Sequence, residues 1–158
     1  MPLAARPDRL DGRTIGLLWN AKPNGDVLLR RVQEQLEVAH LGARFVFRSK
    51  RMGALPMPEE VLHSLRDCDV VVNACGDSGS PTSWSVHDAI TLEKTGVPTC
   101  TFVTAVFAAK GQREAQALGM GGLPMVVLPH PVGQLAKQEM ERLVDERLDE
   151  VRSALTAA

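Results

Sequence analysis

Asp69-Val70-Val71-Val72-Asn73-Ala74, running straight into Cys75-Gly76-Asp77-Ser78-Gly79-Ser80-Pro81, reads as a buried strand, a tight turn and the start of a helix. The strand half is a near-continuous apolar run rather than an alternating one, as a parallel strand covered on both faces requires. In the turn half, Gly76, Gly79 and Ser80 are small enough for the backbone to come close to a ligand. Ser80 followed by Pro81 resembles an N-cap with proline in the first helical position. A helix start presents unpaired N–H groups and a partial positive charge, so the turn suits a phosphate, a carboxylate or a developing oxyanion. An ordinary strand-to-helix turn, which such a fold needs anyway, explains the glycines equally well.

The same alternation extends in both directions. Short apolar runs at Thr14-Ile15-Gly16-Leu17-Leu18-Trp19, Arg44-Phe45-Val46-Phe47, Pro98-Thr99-Cys100-Thr101-Phe102-Val103 and Met125-Val126-Val127-Leu128 flank the central one. Amphipathic stretches lie between and after them, at about 26–41, 58–67, 82–94, 106–118 and 135–155. Asp26 can cap the first helix and Gly42 can end it, while Pro58-Glu59-Glu60 is a proline start with acids in the first turn. Five strands alternating with five helices predict a single doubly wound α/β domain, Rossmann- or flavodoxin-like. Its five-stranded, mainly parallel sheet should carry helices on both faces. Residues 1–12, rich in Pro, Arg and Asp and without a period, are expected to form a flexible leader, leaving 13–158 as the domain.

A chain of 158 residues suffices for one core but not for two. Eighteen Lys and Arg stand against 19 Asp and Glu, so bulk charge gives no reason to expect nucleic acid or an anionic membrane, and the expected partner is a small molecule. With no tyrosine and 4% aromatic residues, a stacking platform for single-stranded nucleic acid is not expected either. No apolar run reaches the roughly 18 residues that span a bilayer, and Met1-Pro2-Leu3-Ala4-Ala5-Arg6 lacks the apolar core of a secretion signal; the protein is expected to be cytoplasmic. Cys68, Cys75 and Cys100 match no zinc spacing and do not suggest a disulfide scaffold. The sequence contains no phosphate loop, dinucleotide glycine fingerprint or metal-ligand cluster, so neither cofactor nor metal is expected.

In open α/β sheets, ligands bind outside the carboxyl ends of the strands, near the point where strand order reverses. Five loops satisfy that rule, and the polar and glycine-rich residues concentrate there. In the central loop and its helix the candidates are Cys75, Gly76, Asp77, Ser78, Gly79, Ser80, Thr82, Ser83, Trp84 and His87. Asp77 is a candidate base or orienting acceptor, or else a turn residue bonding its own backbone. Cys75 is a candidate nucleophile or proton carrier whose thiolate the helix start would favour, or else an inert buried thiol. His87, on the same helix face as Ser83, is a candidate acid or base, or else a surface or capping residue. In the first loop Asn20, Lys22 and Asn24 could hold an anionic or carbonyl group, though turn formation explains Pro23-Asn24-Gly25 as well. Thr104 and His130 end two later strands, with His130 held between Pro129 and Pro131. Arg48, Lys50 and Arg51 form a basic cluster that would steer an acidic ligand or simply be solvated.

Gly76-Asp77-Ser78-Gly79-Ser80-Pro81-Thr82-Ser83-Trp84-Ser85-Val86-His87-Asp88 resembles the hallmark of the UGSC-like family, a selenocysteine (or cysteine)-Gly-Ser-Cys signature followed by Thr-Ser-Trp-Ser-x-His-Asp. The resemblance extends to Asn20-Ala21-Lys22-Pro23-Asn24 and Leu128-Pro129-His130-Pro131. It implies thiol or selenol redox chemistry, but the two reactive positions here hold Ser78 and Pro81, which cannot cycle between dithiol and disulfide. The retained Thr82, Ser83, Trp84, His87 and Asp88 imply that the pocket was kept while its chemistry changed. More locally, the run from Asp69 to Asp77 is similar to the strand and cysteine loop of the aspartate/glutamate/hydantoin racemase superfamily, whose thiols move protons beside a carbonyl or carboxylate.

These readings lead to a non-redox enzyme acting on a small carboxylate- or carbonyl-containing metabolite by acid–base or addition–elimination chemistry, of lyase, isomerase or transferase type. Asp77, Ser78, Cys75 and His87 would be catalytic. Asn20, Lys22, Asn24, Gly76, Gly79, Ser80, Thr82, Ser83, Trp84, Thr104 and His130 would line the substrate. A non-catalytic ligand-binding or partner subunit and a thiol enzyme centred on Cys75 are the alternatives. Self-association into a homo-oligomer, possibly a dimer, is expected on general grounds.

Overall fold

The structure is a computed structural model that describes residues 1–157. Its elements run β1 (Thr14–Trp19), α1 (Gly25–Ala39), β2 (Arg44–Ser49), α2 (Glu59–Leu65), β3 (Val70–Gly76), α3 (Gly79–Lys94), β4 (Thr99–Thr104), α4 (Ala105–Ala117), β5 (Met125–Leu128), α5 (Lys137–Asp145) and α6 (Leu148–Leu155). The five strands form one parallel sheet in the order β2-β1-β3-β4-β5. That is the flavodoxin-like doubly wound order, so the α/β class expected from the strand pattern is the observed one.

Both faces of the central strands are buried, which is why their sequences read as apolar runs. Ile15 and Leu17 of β1 join Val70 and Val72 of β3 in one core, covered by Leu28, Val32 and Leu36 of α1 and by Met140, Val144 and Val151 of α5 and α6. On the opposite face Leu18 and Val71 meet Val61 and Leu65 of α2. Val86, Ala89 and Ile90 of α3 pack with Ala115 of α4 and Met120 and Leu123 beyond it. Among the described residues no helix is long and apolar enough to cross a membrane.

The structure corrects three local expectations. The single final helix over 135–155 is two helices: Arg147 leaves the helical path to donate to the Val127 and Leu143 carbonyls, turning the chain back onto the sheet. Residues 1–12 contain no helix or strand, yet they are tied down rather than loose. Leu10 is fully buried, the Pro7 carbonyl accepts from Ala157 N–H, and Arg6 makes a bidentate pair with Glu93, whose side chain is sealed from water. Glu93 also accepts from Ala4 N–H, Thr99 N–H and the Thr99 hydroxyl, so one buried carboxylate gathers the first segment and the start of β4. Finally, α3 begins at Gly79 with Ser78 as its N-cap, so Ser80 and Pro81 lie inside the first turn instead of forming the cap.

Candidate functional site

β1 lies between β2 and β3, and the chain leaves it in one direction through α1 and returns on the other side at β3. The strand order reverses between β1 and β3, the position at which folds of this type bind ligands outside the carboxyl ends of the strands; here it is bordered by the β1–α1 turn and the β3–α3 turn. The candidate residues fall into distinct groups around it.

The first group ties these turns together. Asn20, fully buried, donates from its amide to the Cys75 carbonyl at 2.7 Å and accepts the Cys75 N–H at 3.0 Å, while its own N–H reaches the Ala74 carbonyl at 3.0 Å. Asn24 donates to the carbonyls of Val132 and Leu135 at 2.7 and 2.9 Å, fastening the β1–α1 turn to the segment after β5. Both amide groups donate to backbone carbonyls, so Asn20 and Asn24 act as braces of these turns. Thr82 is equally engaged: its buried hydroxyl donates to the Ser78 carbonyl at 2.6 Å. Gly76 closes β3 at an irregularity in the ladder to β4, buried opposite Val103.

The second group lies on the turns at the carboxyl ends of the strands. Lys22 Nζ lies 3.6 Å from Asp77 Oδ1, an ion pair too long to be a hydrogen bond, and that oxygen is buried with no hydrogen-bond partner. Ser78 makes no side-chain cap bond, which leaves its hydroxyl uncommitted beside the helix start. Gly79 and Ser80 present the first two helical N–H groups, and Pro81 has none. At the end of β4, the buried Thr104 hydroxyl shares a 2.8 Å hydrogen bond with His130 Nδ1, and the Phe107 ring meets the imidazole edge-on at 5.7 Å. This contact sets the ring plane and leaves Nε2 as the nitrogen for other work.

Cys75 departs from expectation. Its side chain lies in the α1-side core with Ala74 and Val72, 1% exposed, and burial next to Asp77 pushes the thiol pKa up rather than down. The helix start does not activate it, because the thiol points to the other face of the sheet. Cys68 and Cys100 are also buried free thiols, pushed up to about 11 and about 12 by desolvation.

The third group sits apart, where α3 packs on α4. The Ser83 hydroxyl donates to Glu114 Oε1 at 2.8 Å, His87 Nε2 lies 3.8 Å from Glu114 Oε2, and Trp84 tilts against His87 at 5.1 Å. Lys110 Nζ is 3.5 Å from the same carboxylate. The Ser83 bond, with help from Lys110 and His87, holds the Glu114 carboxyl below its ordinary range. Glu114 escaped the sequence reading. The available signal was Gly111 inside a helical pattern, where an added Cβ would meet Met125 Sδ at 3.0 Å and Thr82 at 3.6 Å; it marks the close approach of α4 to α3.

The expected basic cluster is also divided. Lys50 is buried against Asp88 at 2.5 Å, whereas Arg51 is exposed. Burial raises the Asp88 carboxyl pKa, while the Lys50 ammonium and the Met57 N–H pull it the other way. Among the described residues no three or more His, Cys, Asp or Glu side chains are grouped to hold a metal ion.

The flavodoxin-like domain of a Synechococcus sp. protein aligns over 86% of this chain and 96% of its own at 11% identity, with a TM-score of 0.40. A GDP-L-fucose synthetase from Naegleria fowleri, solved with NADP, aligns over 99% of this chain and 52% of its own at 13% identity, TM-score 0.45. No curated protein sequence matches the chain significantly. A model of the UGSC family matches residues 1–157, and the chain therefore belongs to the UGSC family.

Proposed function

We propose that this chain is a non-redox enzyme that binds a small carboxylate- or carbonyl-bearing metabolite at the carboxyl ends of β1 and β3 and acts on it by acid–base chemistry. The carrying observation is the Lys22–Asp77 pair: a nearly buried carboxylate with one oxygen lacking a hydrogen-bond partner, faced at 3.6 Å by a single ammonium. Such a carboxylate suits proton abstraction beside a carbonyl. The bond electrons move onto the carbonyl oxygen as the proton moves to Asp77, and Lys22 with the N–H groups of Gly79 and Ser80 stabilises the developing enolate. The Ser78 hydroxyl supplies a further donor, and His130, oriented through Thr104, can return the proton. Ser78 and Pro81 stand at the reactive positions of the signature and carry no thiol, and the Cys75 thiol is turned into the core, which supports the non-redox reading.

The test is exchange of the C–H protons adjacent to the carbonyl of 2-oxo acids and amino acids into D2O, followed by NMR. Asp77→Ala is expected to lower exchange on the accepted compound by about two orders of magnitude, and Ser78→Ala by about one. Full activity in both variants would remove this loop from the catalytic centre.

A further inference from the structure

Asp88 holds the two ends of one loop. Its Oδ2 pairs with Lys50 Nζ at 2.5 Å and its Oδ1 accepts the Met57 N–H at 3.0 Å, so residues 50 and 57 are stapled to the same carboxylate of α3. The side chains of Lys50 and Asp88 are 0% and 4% exposed. Desolvation offsets most of the attraction in a buried ion pair, and apolar residues of like volume fill such a place as well. A buried pair is thus a weak source of stability but an effective way to impose one geometry.

The geometry imposed here is that of the strap over residues 51–56. Its only buried residue is Gly53, where an added Cβ would stand 3.1 Å from the Asn20 carbonyl oxygen and 3.3 Å from the Pro81 ring. The strap therefore touches the brace of the β1–α1 turn and the first turn of α3 at once, through backbone alone. Arg51, Met52 and Leu55 on either side are exposed.

We propose that Asp88 is a positioning residue that closes the strap at its base and sets Gly53 as the wall of the substrate site on the β2 side. Removing the staple lets the strap open while the rest of the fold persists. The role as a wall rests on the function proposed above; the staple itself does not.

Two variants test this. Lys50→Met combined with Asp88→Leu removes both charges at similar volume, and Gly53→Val forces the tip away with the staple intact. The readouts are native-state trypsin cleavage after Arg51, the thermal midpoint and the affinity for pyruvate. Cleavage is expected to rise roughly tenfold or more in both variants, with the midpoint near that of wild type and pyruvate bound more weakly by a similar factor. Unchanged cleavage at a retained midpoint overturns the proposal, as does faster cleavage with pyruvate affinity unaltered. Should the double variant fail to fold, Gly53→Val carries the same comparison. If the wild type binds neither pyruvate nor any other small carboxylate or carbonyl compound, the proposed function fails, and the cleavage rates alone decide the staple.

Discussion

Asn20 and Cys75, 55 residues apart, are joined like two members of a ladder: the Asn20 side chain donates to the Cys75 carbonyl and accepts the Cys75 N–H, both inside the core. The side-chain amide thus imitates a backbone peptide at the one place where β3 is irregular. Because the pair joins the ends of β1 and β3, it fixes the distance between the two turns that carry Lys22 and Asp77.

Asn20→Ala leaves a buried N–H and a buried carbonyl without partners, and is expected to cost about 3 kcal/mol of folding stability. Asn20→Asp keeps the acceptor but buries a charge and sets a carboxylate oxygen against the Cys75 carbonyl, and is expected to cost at least as much as Asn20→Ala at neutral pH. Urea denaturation measures both. A loss in Asn20→Ala comparable with that of an ordinary surface substitution would show that the brace is not needed.

The thiols are expected to be inert while the chain is folded. Burial raises all three, to about 11 for Cys68 and about 12 for Cys100, and raises Cys75 as well. The thiolate is the reacting form and appears only as pH rises through those values, so iodoacetamide at about pH 8 should modify them only after unfolding. Rapid labelling of Cys75 in the folded protein, with loss of activity, would reinstate a thiol mechanism.

Acid should loosen the α3–α4 contact. The Glu114 carboxyl is held below its ordinary value of 4.5, first by the Ser83 hydroxyl and then by Lys110 and His87. A carboxylate favoured in the fold contributes stability above its unfolded pKa and loses it as pH falls through the folded one. Wild type is therefore expected to be more stable than Glu114→Gln near neutrality, with the gap closing below about pH 4.5. Thermal melts across that range are the check, and parallel curves would contradict the assignment.

Much of the molecule was legible in the sequence for a local reason. The apolar run from Val70 to Ala74 and its four counterparts read as the strands of a parallel sheet, and the strand positions and helix count up to Lys94 follow from them. The break between Asp145 and Leu148 was not legible, since the apolar stripe runs on through it; what ends the helix is Arg147 bonding the Val127 carbonyl of the edge strand. Residues 1–12 looked loose because they have no period. Their anchoring comes from Glu93, a charged helix residue whose partners lie 89 positions away at Ala4 and 87 at Arg6.

The candidate site divides along the same line. Hydrophobic period and turn chemistry depend on near neighbours, so the sequence by itself determined the doubly wound sheet and the strand-to-helix turn at Asp77-Ser78-Gly79-Ser80. A polar side chain at a strand end is free or engaged according to which loop lands beside it, and no local pattern encodes that. Only the tertiary structure decided that Asn20, Asn24 and Thr82 bond to backbone, that the Cys75 thiol faces the opposite core, that Lys22 pairs with Asp77, and that His130 is held by Thr104. It likewise decided that Lys50, in sequence one of three surface cations, is the buried partner of Asp88.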